Sequence, residues 1–325
     1  MKLPLVFLVS SLLHLVRSRA PLNSNITKLP SNEAPYMNIF NNGTRGYVGD
    51  KSRQTPFPQW LADFTGLSEW PGLNPPYIPL DFIDFNKIPN IPRYGQSECN
   101  SRRKQLLNNK DVCSFDCDAC VEKDDIFTCP KLSQTFDDGP SFATESLLNH
   151  IKNKSTFFNL GINIINFPSI YQKMMDRGHL IGTHTWSHPY LPNLSNEDII
   201  AEIEWSIWAM NATGHHLPRY FRPPYGGIDN RVRSITRQFG LQAVLWDHDT
   251  FDWRLVGSNN SRHTERDIYK SVINWIRKKT GLILEHDGAF KTVEIAKNIY
   301  DLIGPDQLNV AECVGGTPYL KTFPS

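Results

Sequence analysis

Residues 131–152 read K-L-S-Q-T-F-D-D-G-P-S-F-A-T-E-S-L-L-N-H-I-K. Leu132–Phe136 predicts a strand, Gly139 and Pro140 turn the chain, and Ala143–Lys152 predicts a helix. The same unit repeats downstream. Further strands are expected at Thr156–Leu160, Leu180–Thr183, Tyr220–Arg222, Ala243–Trp246 and Leu282–Glu285. Further helices are expected at Pro168–Arg177, Asn196–Met210, Asn230–Phe239, Glu265–Arg277 and Thr292–Ile303. Strands alternating with helices specify an α/β fold, a parallel sheet with helices outside it, either open or closed as a barrel.

Five short motifs sit where those strands end, which is where loops converge and active sites collect in such folds. They are T-F-D-D-G-P (135–140), H-T-W-S-H (184–188), R-P-P-Y-G (222–226), D-T-F-D-W (249–253) and L-I-L-E-H-D (282–287). His184 and His188, four apart, would share one face of a helical turn. With a carboxylate they make a two-nitrogen, one-oxygen site suited to Zn²⁺ or a similar divalent ion. A bare pair at this spacing is more often structural, and the acids upstream are what change that reading. Asp137 and Asp138 can cap a loop or helix, or divide the labour of metal ligand and proton acceptor. Arg222 could form a surface ion pair, but the consecutive prolines after it fix φ, so its loop reads as a rigid wall instead. His286 is the candidate general acid, because histidine can donate a proton near neutral pH. Trp186, between the two histidines, is either a sugar-stacking platform or a packing residue. His179, His215 and His216 read as structural, and Asp247 and Asp249 carry no assigned role.

The five motifs, intact and in this order, resemble the polysaccharide deacetylases of carbohydrate esterase family 4. The resemblance covers about Cys129 to Cys313 and implies a distorted (β/α) barrel with fewer than eight full units. It implies Asp138 as the third ligand beside His184 and His188, with Zn²⁺ the first choice of ion and Co²⁺ the second. Asp137 then takes the proton from the attacking water, and Arg222 holds that carboxylate. The backbone N–H of Tyr225 stabilises the oxyanion, and Asp252 pairs with His286. Trp253, Leu282 and Leu284 line a pocket for the acetyl methyl group, with core packing the alternative for the leucines. A Cys129–Cys313 disulfide closing the domain ends is expected, as in some relatives. Longer runs, among them I-E-W-S-I-W-A-M-N-A-T-G (203–214) and F-P-Q-W-L-A-D-F-T-G-L-S-E-W-P-G-L (57–73), are similar to the chitin deacetylases of yeasts. That implies hydrolysis of N-acetyl groups in chitin to give chitosan and acetate, at the cell wall and in particular the spore wall. The alternatives are another acetylated polysaccharide, xylan or peptidoglycan, or a silent glycan-binding wall protein.

The rest of the chain fits such an address. Its 325 residues carry 34 Lys+Arg against 33 Asp+Glu, a balance that points to neither nucleic acid nor an anionic membrane. Residues 1–20 read as a secretory signal: Lys2, an apolar run from Leu3 to Val16, then Ser18-Arg19-Ala20. Glycosylation sequons occur at Asn25, Asn42, Asn153, Asn193, Asn211 and Asn259. The six cysteines form an even set, consistent with three disulfides in an oxidising compartment, and Cys113, Cys117 and Cys120 read as a stapled loop rather than a zinc knuckle. Residues 21–55 are a flexible lead-in, and 56–128 a Pro/aromatic and Cys-rich segment whose rings lie as an extended strap over the domain surface. The catalytic domain spans 129–315 and a short tail 316–325. That tail is not apolar, so no lipid anchor is expected. A secreted monomer, without an integral membrane segment, is the expected form.

Overall fold

The structure, a computed structural model, describes residues 53–99, 112–256 and 262–324. The proposed signal and most of the lead-in, with Asn25, Asn42 and Asn259, lie outside the described residues. Asn153, Asn193 and Asn211 are each half-buried.

β1 (Leu132–Asp137) is buried along its whole length. A strand covered on both faces belongs at the centre of a parallel sheet. On one side it pairs with β2 (Thr156–Asn159), and on the other with β8 (Gly281–His286). β3 (Leu180–Thr183), β5 (Tyr220–Phe221) and β6 (Gln242–Ala243) extend the β2 side, and β7 (His248–Asp249) extends the β8 side. The seven strands run β6-β5-β3-β2-β1-β8-β7, every pairing is parallel, and β6 and β7 do not join. The result is a distorted, incomplete (β/α) barrel. Ile126 borders the β6 edge: its N–H donates to Ala243 O at 2.8 Å, and it accepts from Leu245 N–H at 2.7 Å.

Alternation along the strands separates two cores. Phe136, Phe157, Ile181 and Phe221 face outward onto the helices. Phe158, Leu180, Tyr220, Val244 and Leu282 fill the lumen. The outer layer comprises α3 (Phe142–His150), α4 (Gly161–Asn166), α5 (Pro168–Asp176), α6 (Asn196–Gly214), α7 (Asn230–Gln238), α8 (Glu265–Lys278) and α9 (Phe290–Ile303). Side chains fix where several of these begin. Ser141, Ser195, Asp229 and Thr264 each accept a backbone N–H of the first turn, satisfying donors that have no partner within the helix.

The sequence expectations differ from this in a few places. The strand expected at Ala243–Trp246 ends at Ala243, because Val244 and Leu245 are engaged by Ile126 and Trp246 packs edge-on against Phe115. β7, two residues long, was below the length at which a sequence pattern is legible. α6 continues past Met210 to Gly214 and is closed by His215 in the left-handed region. Within the tail, β9 (Tyr319–Thr322) pairs antiparallel with β4 (His216–Pro218).

The N-terminal segment packs rather than displaying its rings. One short helix, α1 (Gln59–Thr65), precedes an extended run, and Leu61, Leu80, Ile83 and Ile88 join the outer core. Indole N–H groups fasten the strap: Trp70 donates to Thr55 O, Trp186 to Gly72 O and Trp205 to Pro76 O, each at 2.7 Å. The cysteines are joined as Cys99–Cys117, Cys113–Cys120 and Cys129–Cys313. Arg233 of α7, fully buried, pairs with Asp125 at 2.8 Å and also donates to the carbonyls of Cys113 and Cys120. It thereby ties the cysteine loop, with its single-turn helix α2 (Phe115–Asp118), to the barrel. Asp125→Ala would leave that guanidinium buried without a counter-charge. The expected loss is about 3–5 kcal/mol of stability, read by urea unfolding with the disulfides intact.

Candidate active site

Parallel register sets the geometry. Asp137 and His286 are direct partners at the C-terminal ends of β1 and β8. Neighbouring strands lie about 4.8 Å apart, and partnered residues project to the same face, here the mouth of the lumen. Asp137 and His286 can therefore flank one small group bound between them.

Arg222, at the end of β5, is wholly buried and enters from the lumen side. Its Nη1 donates to Asp137 Oδ1 at 2.9 Å and to Thr135 Oγ1 at 2.7 Å, and its guanidinium lies 4.2 Å over the Phe158 ring. Nε and Nη2 point at the carbonyls of Val244 and Leu245, each at 3.3 Å. Burial raises the Asp137 pKa to about 6, and the Arg222 charge works against that rise.

β1 ends into Asp138, whose φ is 79°. Gly139 must follow, because a Cβ there would stand 2.3 Å from an oxygen of the buried Asp287 carboxylate. Thr144 Oγ1 holds that carboxylate at 2.6 Å. Asp138 Oδ1 lies 3.5 Å from His184 Nε2 and 3.3 Å from His188 Nε2. This oxygen is buried and has no hydrogen-bond partner among the described residues. His184 Nδ1 donates to Arg222 O at 2.8 Å, since a carbonyl can only accept; that fixes the tautomer and leaves the Nε2 lone pair toward Asp138. Burial lowers the pKa of both imidazoles, so both are neutral, the form that ligates metals. One orphaned carboxylate oxygen and two aligned imidazole nitrogens, all within 4.8 Å of one another, fit a tetrahedral divalent ion with one position left open.

The two histidines do not lie on a helical turn, contrary to the expectation from their spacing. Residues 184–188 form a loop with φ of 73° at Thr185 and 70° at His188. Its N–H groups from Thr185 to His188 are taken by side chains instead of by helical i→i−4 bonds, Thr185 N–H by Thr183 Oγ1 and His188 N–H by Thr185 Oγ1 among them. Trp186 is a second correction. It is fully buried, stacked 6.1 Å from Trp70 and edge-on to Trp205, so it packs the strap and cannot offer a face to a sugar.

On the opposite wall Asp252, also fully buried, receives His286 N–H on Oδ2 at 2.9 Å and sits 2.7 Å from His286 Nδ1 through Oδ1. Burial alone would lower the His286 pKa, but Asp252, then Asp138 and Asp137, outweigh it and lift it to about 10. The ring is thus an imidazolium at neutral pH in the absence of an ion. Leu284 partners Thr135 in the register, one layer below Asp137 and His286. Leu282 is a layer deeper, within the lumen core. Trp253 is half-buried beside Phe251. Tyr225 has φ 60°, a costly conformation for a residue with a Cβ, and its ring stands 4.5 Å from that of His188. Thr135 and Asp287, each inside a motif, carry contacts that the motif reading left unassigned. Asp249 accepts Phe251 N–H at 2.7 Å, and Asp247 accepts Leu282 N–H at 2.7 Å, which gives both acids a local structural role. Cys99 and Cys117 lie beside Asp116, but their sulfurs are bonded to each other and are not thiolate ligands.

The polysaccharide deacetylase family model matches residues 125–244. The chain is 65% identical to chitin deacetylase 2 of Saccharomyces cerevisiae over 270 residues, covering 83% of this chain and 84% of the relative. It is 56% identical to chitin deacetylase 1 of the same yeast, covering 88% and 92%. Among solved structures, a peptidoglycan N-acetylglucosamine deacetylase aligns with a TM-score of 0.53 at 26% identity, over 60% of this chain and 94% of that one. The chitin deacetylase of Colletotrichum lindemuthianum aligns with a TM-score of 0.50 at 26% identity, over 59% and 92%.

Asp252→Asn removes the charge that lifts His286. Its imidazole pKa is expected to fall by about 1–3 units, measured by NMR titration of the chelator-treated protein.

Proposed function

Because this chain belongs to the polysaccharide deacetylase family, we propose that it hydrolyses the N-acetyl groups of N-acetylglucosamine units in chitin, giving chitosan and acetate. The observation that carries the reading is the Asp138–His184–His188 cluster, flanked on adjacent strand ends by the Arg222-paired Asp137 and the Asp252-paired His286. The close identity to two yeast chitin deacetylases supports chitin as the polymer.

Asp138, His184 and His188 would hold the divalent ion, which when bound polarises the acetyl carbonyl and makes a coordinated water acidic near neutral pH. Zn²⁺ is the ion that two imidazoles and a carboxylate suit best, with Co²⁺ next. Asp137, aimed by Arg222, accepts the proton of the attacking water. The backbone N–H of Tyr225 faces the oxygen on which negative charge develops. His286 delivers its proton to the amide nitrogen, a poor leaving group until protonated, while Asp252 holds the ring and stabilises its charge. Leu284 and Trp253 enclose the acetyl methyl group. The residues 129–315 act as the catalytic domain.

Three disulfides suit an oxidising compartment, and with the leader-like N-terminus they support secretion; the cell wall, the spore wall in particular, is the destination proposed here. No helix among the described residues is long and apolar enough to cross a membrane.

Acetate release from chitin hexamer tests the reading. It should be abolished by prolonged chelation and restored by added Zn²⁺, and should exceed release from acetylated xylan; release indifferent to chelator would overturn it. Asp137→Asn should lower turnover by about 10²–10⁴-fold while the protein still binds metal. The rate should rise as pH passes the Asp137 pKa and the carboxylate forms, then fall as His286 loses its proton. For the ion-free protein those values are about 6 and about 10. A bound cation disfavours the protonated form of each group and moves both limbs to lower pH.

A further inference from the structure

Two glutamates of α6 are buried, Glu202 and Glu204, and they do different work. Glu204 accepts Ile78 N–H at 2.8 Å and so anchors the strap. Glu202, 4% exposed, is aimed at the loop between the histidines. Its Oε2 accepts Trp186 N–H at 3.0 Å and Ser187 N–H at 2.8 Å, and its Oε1 accepts the Ser187 hydroxyl at 2.7 Å.

We propose that Glu202 is a positioning residue for the metal site. Its carboxylate holds the Trp186–Ser187 turn and thereby sets the separation of the His184 and His188 imidazoles. The inference rests on the reading that Asp138, His184 and His188 hold an ion. The loop needs such a hold. Thr185 and His188 both have φ near +70°, which a β-branched residue and an imidazole adopt only when the surroundings over-determine it. Two successive N–H groups point to one side, out of reach of helix or sheet partners. The two Glu202 oxygens match three donors, two backbone N–H groups and one hydroxyl. The far side of the turn is held too. Gly161 N–H donates to Thr185 O at 2.9 Å and Ile162 N–H to Trp186 O at 3.1 Å. A Cβ on Gly161 would stand 2.6 Å from the Trp186 ring, so the turn has no room to shift toward α4. Gln in place of Glu202 keeps the size, but its NH₂ must face either the two N–H groups or the Ser187 hydroxyl, which would then have to turn from donor to acceptor.

The test is Zn²⁺ affinity of the full chain, stripped by chelator with disulfides intact and titrated against a chromophoric chelator. Glu202→Gln should bind Zn²⁺ about 10–100-fold more weakly than the parent, the range for groups that orient metal ligands. Affinity within about twofold of the parent would overturn the inference and leave the metal-site reading standing. A parent that binds no Zn²⁺ would overturn both. Glu204→Gln, the same change on the same helix with an amide oxygen that can still accept Ile78 N–H, should stay within about twofold of the parent, and a loss equal to that of Glu202→Gln would mean general loosening of α6, against the proposal. If Glu202→Gln does not fold, Ser187→Ala removes one of the three donors and should weaken Zn²⁺ several-fold; no change would count against the clamp. Should both fold, the double variant is expected to lose no more than Glu202→Gln alone, and additive losses would show that the two groups act independently.

Discussion

A guanidinium with no access to water lies at the centre of this molecule, and the rest of the site is arranged around it. Removing an Arg side chain from solvent is expensive unless its charge is paired and its donors are used. Arg222 meets that demand with Asp137 and Thr135 on β1 and with carbonyls just beyond β6, while its flat face rests on Phe158 of β2. One side chain therefore reaches from the β6 edge across the lumen to the central strand β1. Its own carbonyl receives His184 Nδ1, so the residue that aims the candidate base also sets the tautomer of a candidate ligand. The interior of the barrel is polar at its mouth for this reason and apolar below it, where Phe158, Tyr220, Val244 and Leu282 close the lumen.

The loops above that centre are held from outside the region matched by the family model. The strap packs Trp70 against Trp186 and takes its indole N–H on the Gly72 carbonyl. The cysteine loop meets the R-P-P-Y-G segment from the other side. Phe115 N–H donates to Ile228 O at 3.2 Å, and a Cβ on Gly226 would touch the rings of Phe115 and Trp246 at 3.1 Å. Tyr190, whose hydroxyl donates to Asp116 at 2.7 Å, bridges this loop to the ring of Tyr225. Residues 53–99 and 112–124 are thus part of the same packed body as the barrel, and the backbone strain at Asp138, Thr185, His188 and Tyr225 is supported by contacts on every side.

Much of this was legible in the linear chain because the relevant signals are local. Strands β1, β2, β3 and β8 and six long helices follow from short runs of apolar residues punctuated by turn formers. Paired acids, paired histidines and a histidine after an apolar run mark the chemistry by residue type alone. What the residue pattern by itself failed to show was local backbone shape and burial set by partners distant in sequence. The spacing of His184 and His188 suggested a helical turn, since i and i+4 coincide on a helix, yet side-chain acceptors reshape that stretch into a loop. Trp186 looked equally suited to a sugar or a core, and only the strap, more than a hundred residues earlier, makes it core. Glu202 gives no signal in N-E-D-I-I-A-E-I-E-W, where a charged residue on a helix is ordinarily solvated.

Taken alone, the order of residues determined the fold class, the strand ends at which chemistry collects, and the set of side chains able to bind a cation and move protons. Those follow from periodicity and functional-group identity, which need no knowledge of contacts. Tertiary structure alone decided that Asp137 and His286 stand opposite each other in register, that Arg222 and Asp252 are wholly buried, and which buried residues hold the histidine loop. Those are set by parallel strand pairing and by desolvated charges finding counter-charges, interactions between groups about 16 to 150 residues apart in the chain.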